Sequence, residues 1–482
     1  MPRVDQIYGL EATQAELDFV NITTDHDVRL FIEPYAMSLK SDLWSNHCRE
    51  HITTFFQHVI DLIRSDHVDE AYALFAYMGE PSQTGLGYAN SRGSGRGIKG
   101  AKAWKFFRAI LRSRAVQTGL MSDLGEADLF VDGISKDGIS DLTANIIRGP
   151  LIEYTQKQCV AWEIPLQNDV AAGHVWDPTT LRWMPKYAPL PVFEEDYLLL
   201  TPKYSVRRSL LLNSQEYYTH HVVNYLRDEE LRTGGGLVQL LRDGSAWVTK
   251  KDIKRENPLS KDFLAQFSEQ HPDVLRRYKE FYQNTPDADG APSNRDLDNE
   301  LDEAAFSQAL VEELSAVPPG PENATRYHRL MVGIIEFLFY PNLIYPDVEP
   351  KLHQGRKRID IWYTNASNQG FFHDMMSNPR FASSLIPVEC KNYGGDIGNP
   401  EFDQLGGRFA DDRGWFGILC HREHADRVRV IDTCRDTLRD NRGLIIPLED
   451  ADIRELLGLV ASYKRNEIDN WMRRFYRILL AN

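Results

Sequence analysis

"IPVECKNYGG", residues 386–395, ends an apolar run in two opposite charges, Glu389 and Lys391, with one cysteine between them. Side chains alternate faces along a β-strand, so residues two apart share a face, roughly 6–7 Å from one another. Read as a strand, the stretch presents a carboxylate and an ammonium together at its carboxyl end. Before it lie a helical pattern over about 323–339 and strand-like "LIYPDVEPKL" (343–352) and "RIDIWYTN" (358–365). After it come a helix near 400–412, the β run "WFGILCH" (415–421), a helix near 424–440, the strand "GLIIPLE" (443–449) and a terminal pair of helices. The order α-β-β-β-α-β predicts an α/β region, a mixed sheet packed between helices.

At 482 residues the chain is long enough for two or three domains. Residues 286–320 carry nine acids against one base, open in turn-forming residues and end in Pro-Pro-Gly. This reads as an acidic connector with a short helix near 300–316 and flexible joints, separating an N-terminal domain (1–285) from a C-terminal one (321–482). Upstream, residues 42–77 read as helical, "VRLFIEPYAM" (28–37) and "AWEIPL" (161–166) as strands, and 206–284 as mostly helical. The N-terminal domain is therefore expected to be α+β.

The formal charge of −15 argues against nucleic acid as a partner until its distribution is considered. Residues 321–482 hold 22 Lys and Arg against 23 Asp and Glu, so the excess acid lies almost wholly upstream. The five cysteines form no C-x-x-C pair, which fits a reducing compartment. "MVGIIEFLFY" (331–340) contains Glu336 and is too short to span a bilayer, and "MPRVDQIYGL" lacks a signal-peptide core. A cytoplasmic protein without membrane contact is the expectation.

Asp360 interrupts the apolar alternation of "RIDIWYTN", where an uncompensated buried charge would be costly. Asp360 and Glu389, supplied by two strands to one face, would bind a divalent cation together with a backbone carbonyl such as that of Cys390. Such hard oxygen donors suit Mg²⁺, with Mn²⁺ as an alternative. Lys391 on the same face would orient water or stabilise charge on a phosphate. The competing reading is a salt-bridge network at a sheet edge.

With Asp360 as first acid and Glu389-Cys390-Lys391 as E-x-K, residues 321–482 resemble the PD-(D/E)XK nuclease superfamily of restriction-endonuclease-like fold. The resemblance implies metal-dependent hydrolysis of phosphodiester bonds, DNA more than RNA, in bacterial restriction or anti-phage defence. It matches Glu336 to an additional metal-binding acid on the preceding helix. It also matches Gln404 to the catalytic glutamine of members similar to Mrr-type enzymes. Where that subset has tyrosine, this chain has Arg408, which could hold a phosphate through bidentate hydrogen bonds. The long interval between Asp360 and Glu389 is expected to hold a loop or short helix. The alternative function is a nucleic-acid-binding regulatory protein whose nuclease fold is inactive.

Between Pro81 and Ser122 there is no Asp or Glu, yet Arg92, Arg96, Lys99, Lys102, Lys105, Arg108, Arg112 and Arg114 all fall there. "AKAWKFFRAILRSR" predicts an amphipathic helix with Lys102, Lys105, Arg108 and Arg112 on one side and Trp104, Phe107 and Leu111 on another. Fed by a glycine-rich loop, this window is a candidate contact for nucleic-acid or nucleotide phosphate. The Walker spacing is missing. Solvation, or pairing with the domain's own acids, explains the same cations, and a nucleotide or protein trigger at this domain and a homo-oligomer both stay open. "HCREH" (47–51) has the H-x-x-E-H spacing of a zinc hydrolase, but a structural helix explains it as well. "CHREH" (420–424) and "DGISKDGISDLT" (132–143) read as a strand-to-helix junction and as turns with a helix cap.

Overall fold

The computed structural model describes residues 2–88, 101–121, 123–194, 196–243, 245–285, 288, 290–348, 361–395, 397–423 and 426–481, with backbone alone for 101–103. The protein is mixed α/β, and its principal sheet lies in the C-terminal part. Two hydrophobic cores are present. One is built mostly from residues between Val4 and Tyr282, and the other almost wholly from residues 310–479.

Elements of the C-terminal part are numbered from the connector onward. Helix α1 (Glu303–Ala316) starts at Asp302, whose carboxylate accepts from the Ala304 and Ala305 N–H groups. Its Leu310 and Leu314, with Val317 beyond its end, are buried in the second core, each contributing about 1.5–3 kcal/mol of transfer free energy. The second half of the acidic connector is therefore part of the C-terminal body. Helix α2 (Ala324–Phe339) is buried nearly all round, which explains its continuous apolar sequence.

Strands β1 (Leu343–Val348), β2 (Ile361–Asn365) and β3 (Leu385–Lys391) form an antiparallel run, and helix α3 (Gly370–Ser377) occupies the interval between β2 and β3. Helix α4 (Asn399–Gly406) leads to β4 (Phe416–His421), and α5 (Arg427–Arg439) to β5 (Leu444–Glu449). Both of these strands add in parallel, giving the order β5-β4-β3-β2-β1. Helices α6 (Asp450–Ala461) and α7 (Glu467–Leu480) close the chain. The third strand is central and covered on both faces, so its side chains from Ile386 to Glu389 are all buried.

The upstream expectations hold in part. The segment 42–77 is two helices, Leu43–Arg64 and Val68–Leu74, broken where Asp66 takes a left-handed φ of 64°. Only Phe31–Ile32 of "VRLFIEPYAM" is strand, because Glu33 caps a helix that Pro34 opens. "AWEIPL" follows from a helix running to Ala161, and Glu163 turns the chain at φ 56° into the hairpin of Gln167–Asp177 and Arg182–Leu190. The helical reading of 206–284 matches helices that include Val223–Thr233, Lys261–Gln270 and Pro272–Asn284.

The two cores meet along α2 and β1. Tyr340, Ile344 and Tyr345 pack into the N-terminal core, and Ala15 into the C-terminal one. Asp18 accepts from the Tyr345 N–H at 3.2 Å and from the Tyr154 hydroxyl at 2.7 Å, which ties β1 to the N-terminal helices.

Candidate active site

Alternation along β3 sends Ile386, Val388 and Cys390 to one face of the sheet and Glu389 and Lys391 to the other. Helix α2 lies over the first face, where the Tyr363 hydroxyl donates to the Val332 carbonyl at 3.2 Å. Helix α4 lies over the second. Its first turn is fixed by the Gly398 N–H donating to Glu401 Oε2 at 2.9 Å and by Pro400 near its start. With Phe402 and Leu405 buried beneath it, Gln404 is aimed at the end of β3.

The result is a closed triangle of side chains. Lys391 Nζ donates to Glu389 Oε1 and, at 3.0 Å, to Gln404 Oε1. Gln404 Nε2 donates in turn to Glu389 Oε1 at 3.1 Å. Glu389 and Lys391 are each 1% exposed, so charge in this triangle is held by fixed hydrogen bonds rather than by water. Arg408, just past α4, brings Nη2 to 3.8 Å from Glu389 Oε2, close enough for attraction but not for a hydrogen bond. Cys390 points the other way, beside Cys420, and burial pushes its thiol well above the ordinary range.

The structure thus brings together Glu389, Lys391, Gln404 and Arg408. Asp360 lies outside the described residues; Ile361, which follows it, pairs with Val388, which precedes Glu389. Glu336 is not part of the group. Its helix covers the opposite face of the sheet, and its carboxylate, fully buried, makes a 3.0 Å ion pair with Lys203 of the N-terminal part. Burial raises the Glu336 carboxyl to about 7 against the lowering effect of Lys203. The metal-ligand role expected for Glu336 thus gives way to that of an ion-pair partner. Lys203 was missed in the sequence because no motif or periodicity surrounds it.

Next to the triangle, the parallel register aligns Lys391 with His421 and His421 with Glu449 across β3, β4 and β5. Arg427 reaches Glu449 and, at 2.6 Å, Asp452, while Arg422 lies 2.9 Å from Asp450. Burial lifts the Asp450 carboxyl to about 6. The carboxyl ends of the parallel strands therefore form a continuous band of charged and polar groups. The sequence reading passed over it because strand-end positions carry no period.

Among the described residues no group of three or more His, Cys, Asp or Glu side chains could hold a metal ion. His47 and His51 meet edge-on at 4.5 Å on the helix Leu43–Arg64, with His51 Nδ1 at 2.9 Å from the His47 carbonyl oxygen. In "CHREH", Cys420 and His421 end β4, and His424 lies outside the described residues. Ser135 caps the helix Lys136–Ile146 within "DGISKDGISDLT".

In the basic window, Arg92, Arg96 and Lys99 lie outside the described residues, as does the side chain of Lys102. Helix Ala101–Arg112 buries Phe106, Phe107 and Ile110 and exposes Lys105, Arg108 and Arg112. Trp104 packs against Phe107 at 5.9 Å and Tyr72 at 4.8 Å on the apolar side, and the Arg108 guanidinium sits 5.8 Å over its ring.

The family model of a domain of unknown function, DUF8370, matches residues 9–213. That span includes the basic helix and Lys203 and excludes the five-stranded sheet. No curated protein and no solved structure matches the chain. No helix among the described residues is long and apolar enough to cross a membrane.

Proposed function

We propose that the chain is a metal-dependent nuclease of the PD-(D/E)XK type, with its active site at the carboxyl end of β3. The observation that carries this reading is the buried triangle of Glu389, Lys391 and Gln404 on the central strand of a mixed sheet. An acid, an amine and an amide held on one face supply the groups that phosphodiester hydrolysis needs.

The Glu389 carboxylate, the Gln404 Oε1 and the Cys390 carbonyl are hard oxygen donors of the class Mg²⁺ takes, and Asp360 would complete the set. When bound, Mg²⁺ supplies Lewis-acid polarisation of a phosphate oxygen and acidifies water. Lys391 acts through Nζ, the ammonium held beside Glu389 and Gln404, to orient a nucleophilic water or to stabilise charge on the phosphate. Gln404 positions Lys391 by holding its ammonium. Arg408, partly exposed at the mouth of the group, takes a substrate phosphate. DNA is the proposed substrate and defence or restriction the proposed setting, both resting on the resemblance alone.

The direct pairing of Lys391 with Glu389 also favours a second reading, in which the two charges neutralise each other in a nucleic-acid-binding protein without cleavage activity. One assay separates the two. Purified chain is incubated with duplex DNA, single-stranded DNA and RNA, with Mg²⁺, Mn²⁺ or EDTA. Metal-dependent cleavage that Lys391→Ala removes supports the nuclease; binding without cleavage under every condition supports the alternative.

A further inference from the structure

Helix Ala101–Arg112 forms one wall of a cavity of about 480 Å³, lined by Trp104, Lys105, Arg108 and Arg112 and, across from them, Asp132 and Asp262. This volume lies within the roughly 300–1,000 Å³ typical of small-ligand sites. Helical spacing explains the convergence, because Trp104, Arg108 and Arg112 follow one another at i, i+4 along a single ridge.

Two observations show that the wall is short of a partner. Lys105, Arg108 and Arg112 make no ion pair among the described residues, although the domain around them is strongly acidic. Arg114, by contrast, has a Glu269 carboxylate at 2.8 Å. Three exposed cations on neighbouring turns, none held in an ion pair among the described residues, offer an anion charge-assisted hydrogen bonds. Trp104 is the second observation. Its indole is 42% exposed although Tyr72 braces it edge-on at 4.8 Å, so an oriented aromatic surface opens onto the cavity.

We propose that this cavity binds a free nucleotide. Its base lies against Trp104, in the place that the Arg108 guanidinium takes over the ring, and its phosphates lie on Lys105, Arg108 and Arg112. Asp132 and Asp262 accept hydrogen bonds from the sugar hydroxyls or a base amino group. These two carboxylates decide between candidate ligands. They repel a bare phosphate or a continuous phosphate backbone, and they favour a ligand that carries donors beside its anionic end. This assignment is independent of the nuclease reading.

The test is calorimetric titration of the full chain with ATP, GTP, AMP, pyrophosphate and a single-stranded oligonucleotide. At least one nucleotide should bind more tightly than pyrophosphate and the oligonucleotide. Trp104→Ala should weaken it at least about tenfold, and Trp104→Phe should largely restore it, as stacking on an aromatic face demands. The exposed pair Arg108→Glu and Arg112→Glu should abolish binding without changing the melting temperature. Asp262→Asn should narrow the preference for nucleotide over pyrophosphate. Absence of binding by all three nucleotides at millimolar concentration would overturn the proposal. So would binding only of pyrophosphate or of the oligonucleotide, or nucleotide affinity unchanged in the Arg108 and Arg112 variant.

Discussion

Lys203 and Glu336 form a 3.0 Å ion pair with both side chains fully buried, and they come from opposite sides of the acidic connector. Lys203 Nζ also donates to Asn294 Oδ1 at 3.2 Å and sits 4.1 Å over the Tyr340 ring. The pair ties the N-terminal body to α2, since separating it would leave one charge buried without a partner.

Removing one partner should therefore be far worse than removing both. Lys203→Met leaves a carboxylate in an apolar setting and should cost about 3–5 kcal/mol, whereas Lys203→Met with Glu336→Leu should recover much of that loss. Urea unfolding of the two singles and the double checks the coupling. Additive losses would show that the pair does not join the two bodies.

Stability should fall as pH rises from about 4.5 to 7. Burial is the leading cause that raises Glu16, Glu33 and Glu336 from 4.5 to about 7. A carboxyl whose folded pKa lies above its unfolded one holds its proton more tightly when folded. Its contribution is full below the unfolded pKa and is lost as pH rises through the folded one. Melting temperature measured between pH 5 and 8 should decline, and Glu33→Gln should flatten that decline; a rise across this interval would contradict the assignment.

Limited proteolysis should cut before Glu303 rather than within α1, because Leu310 and Leu314 anchor that helix in the C-terminal core. Asn299 and Glu300 are exposed and belong to no helix or strand. The nicked halves should co-elute in gel filtration, since Lys203 with Glu336 and Asp18 with Tyr345 hold them together. Separation of the fragments would indicate independent bodies.

The C-terminal sheet was legible because its strands are short apolar runs bounded by turn residues, and "WFGILCH" and "GLIIPLE" correspond closely to β4 and β5. The convergence of Gln404 on β3 was legible only through the resemblance, since a lone glutamine on a helix carries no local signal. Tertiary packing decided the rest. Glu336 reads as an acid before a strand, and nothing near it in sequence announces Lys203, more than a hundred residues away. The hairpin Gln167–Asp177 with Arg182–Leu190 was missed because its strands are largely exposed and lack clean alternation.

Gln404→Ala should slow cleavage by about ten- to a hundredfold while Gln404→Glu partly restores it, because the side chain holds Lys391 Nζ at 3.0 Å. A positioning role predicts a shifted pH profile for the alanine variant in single-turnover kinetics. Identical rates and profiles in wild type and variant would remove Gln404 from the site.

The most direct measurement is single-turnover cleavage of DNA with Mg²⁺ by wild type, Glu389→Ala and Lys391→Ala, each checked for an unchanged circular dichroism spectrum. We expect metal-dependent cleavage by the wild type, abolished by EDTA and reduced at least about a hundredfold in both variants. Cleavage by folded Glu389→Ala and Lys391→Ala proteins at the wild-type rate, or no cleavage of any nucleic acid by the wild type with Mg²⁺ or Mn²⁺, would contradict a nuclease centre at the end of β3.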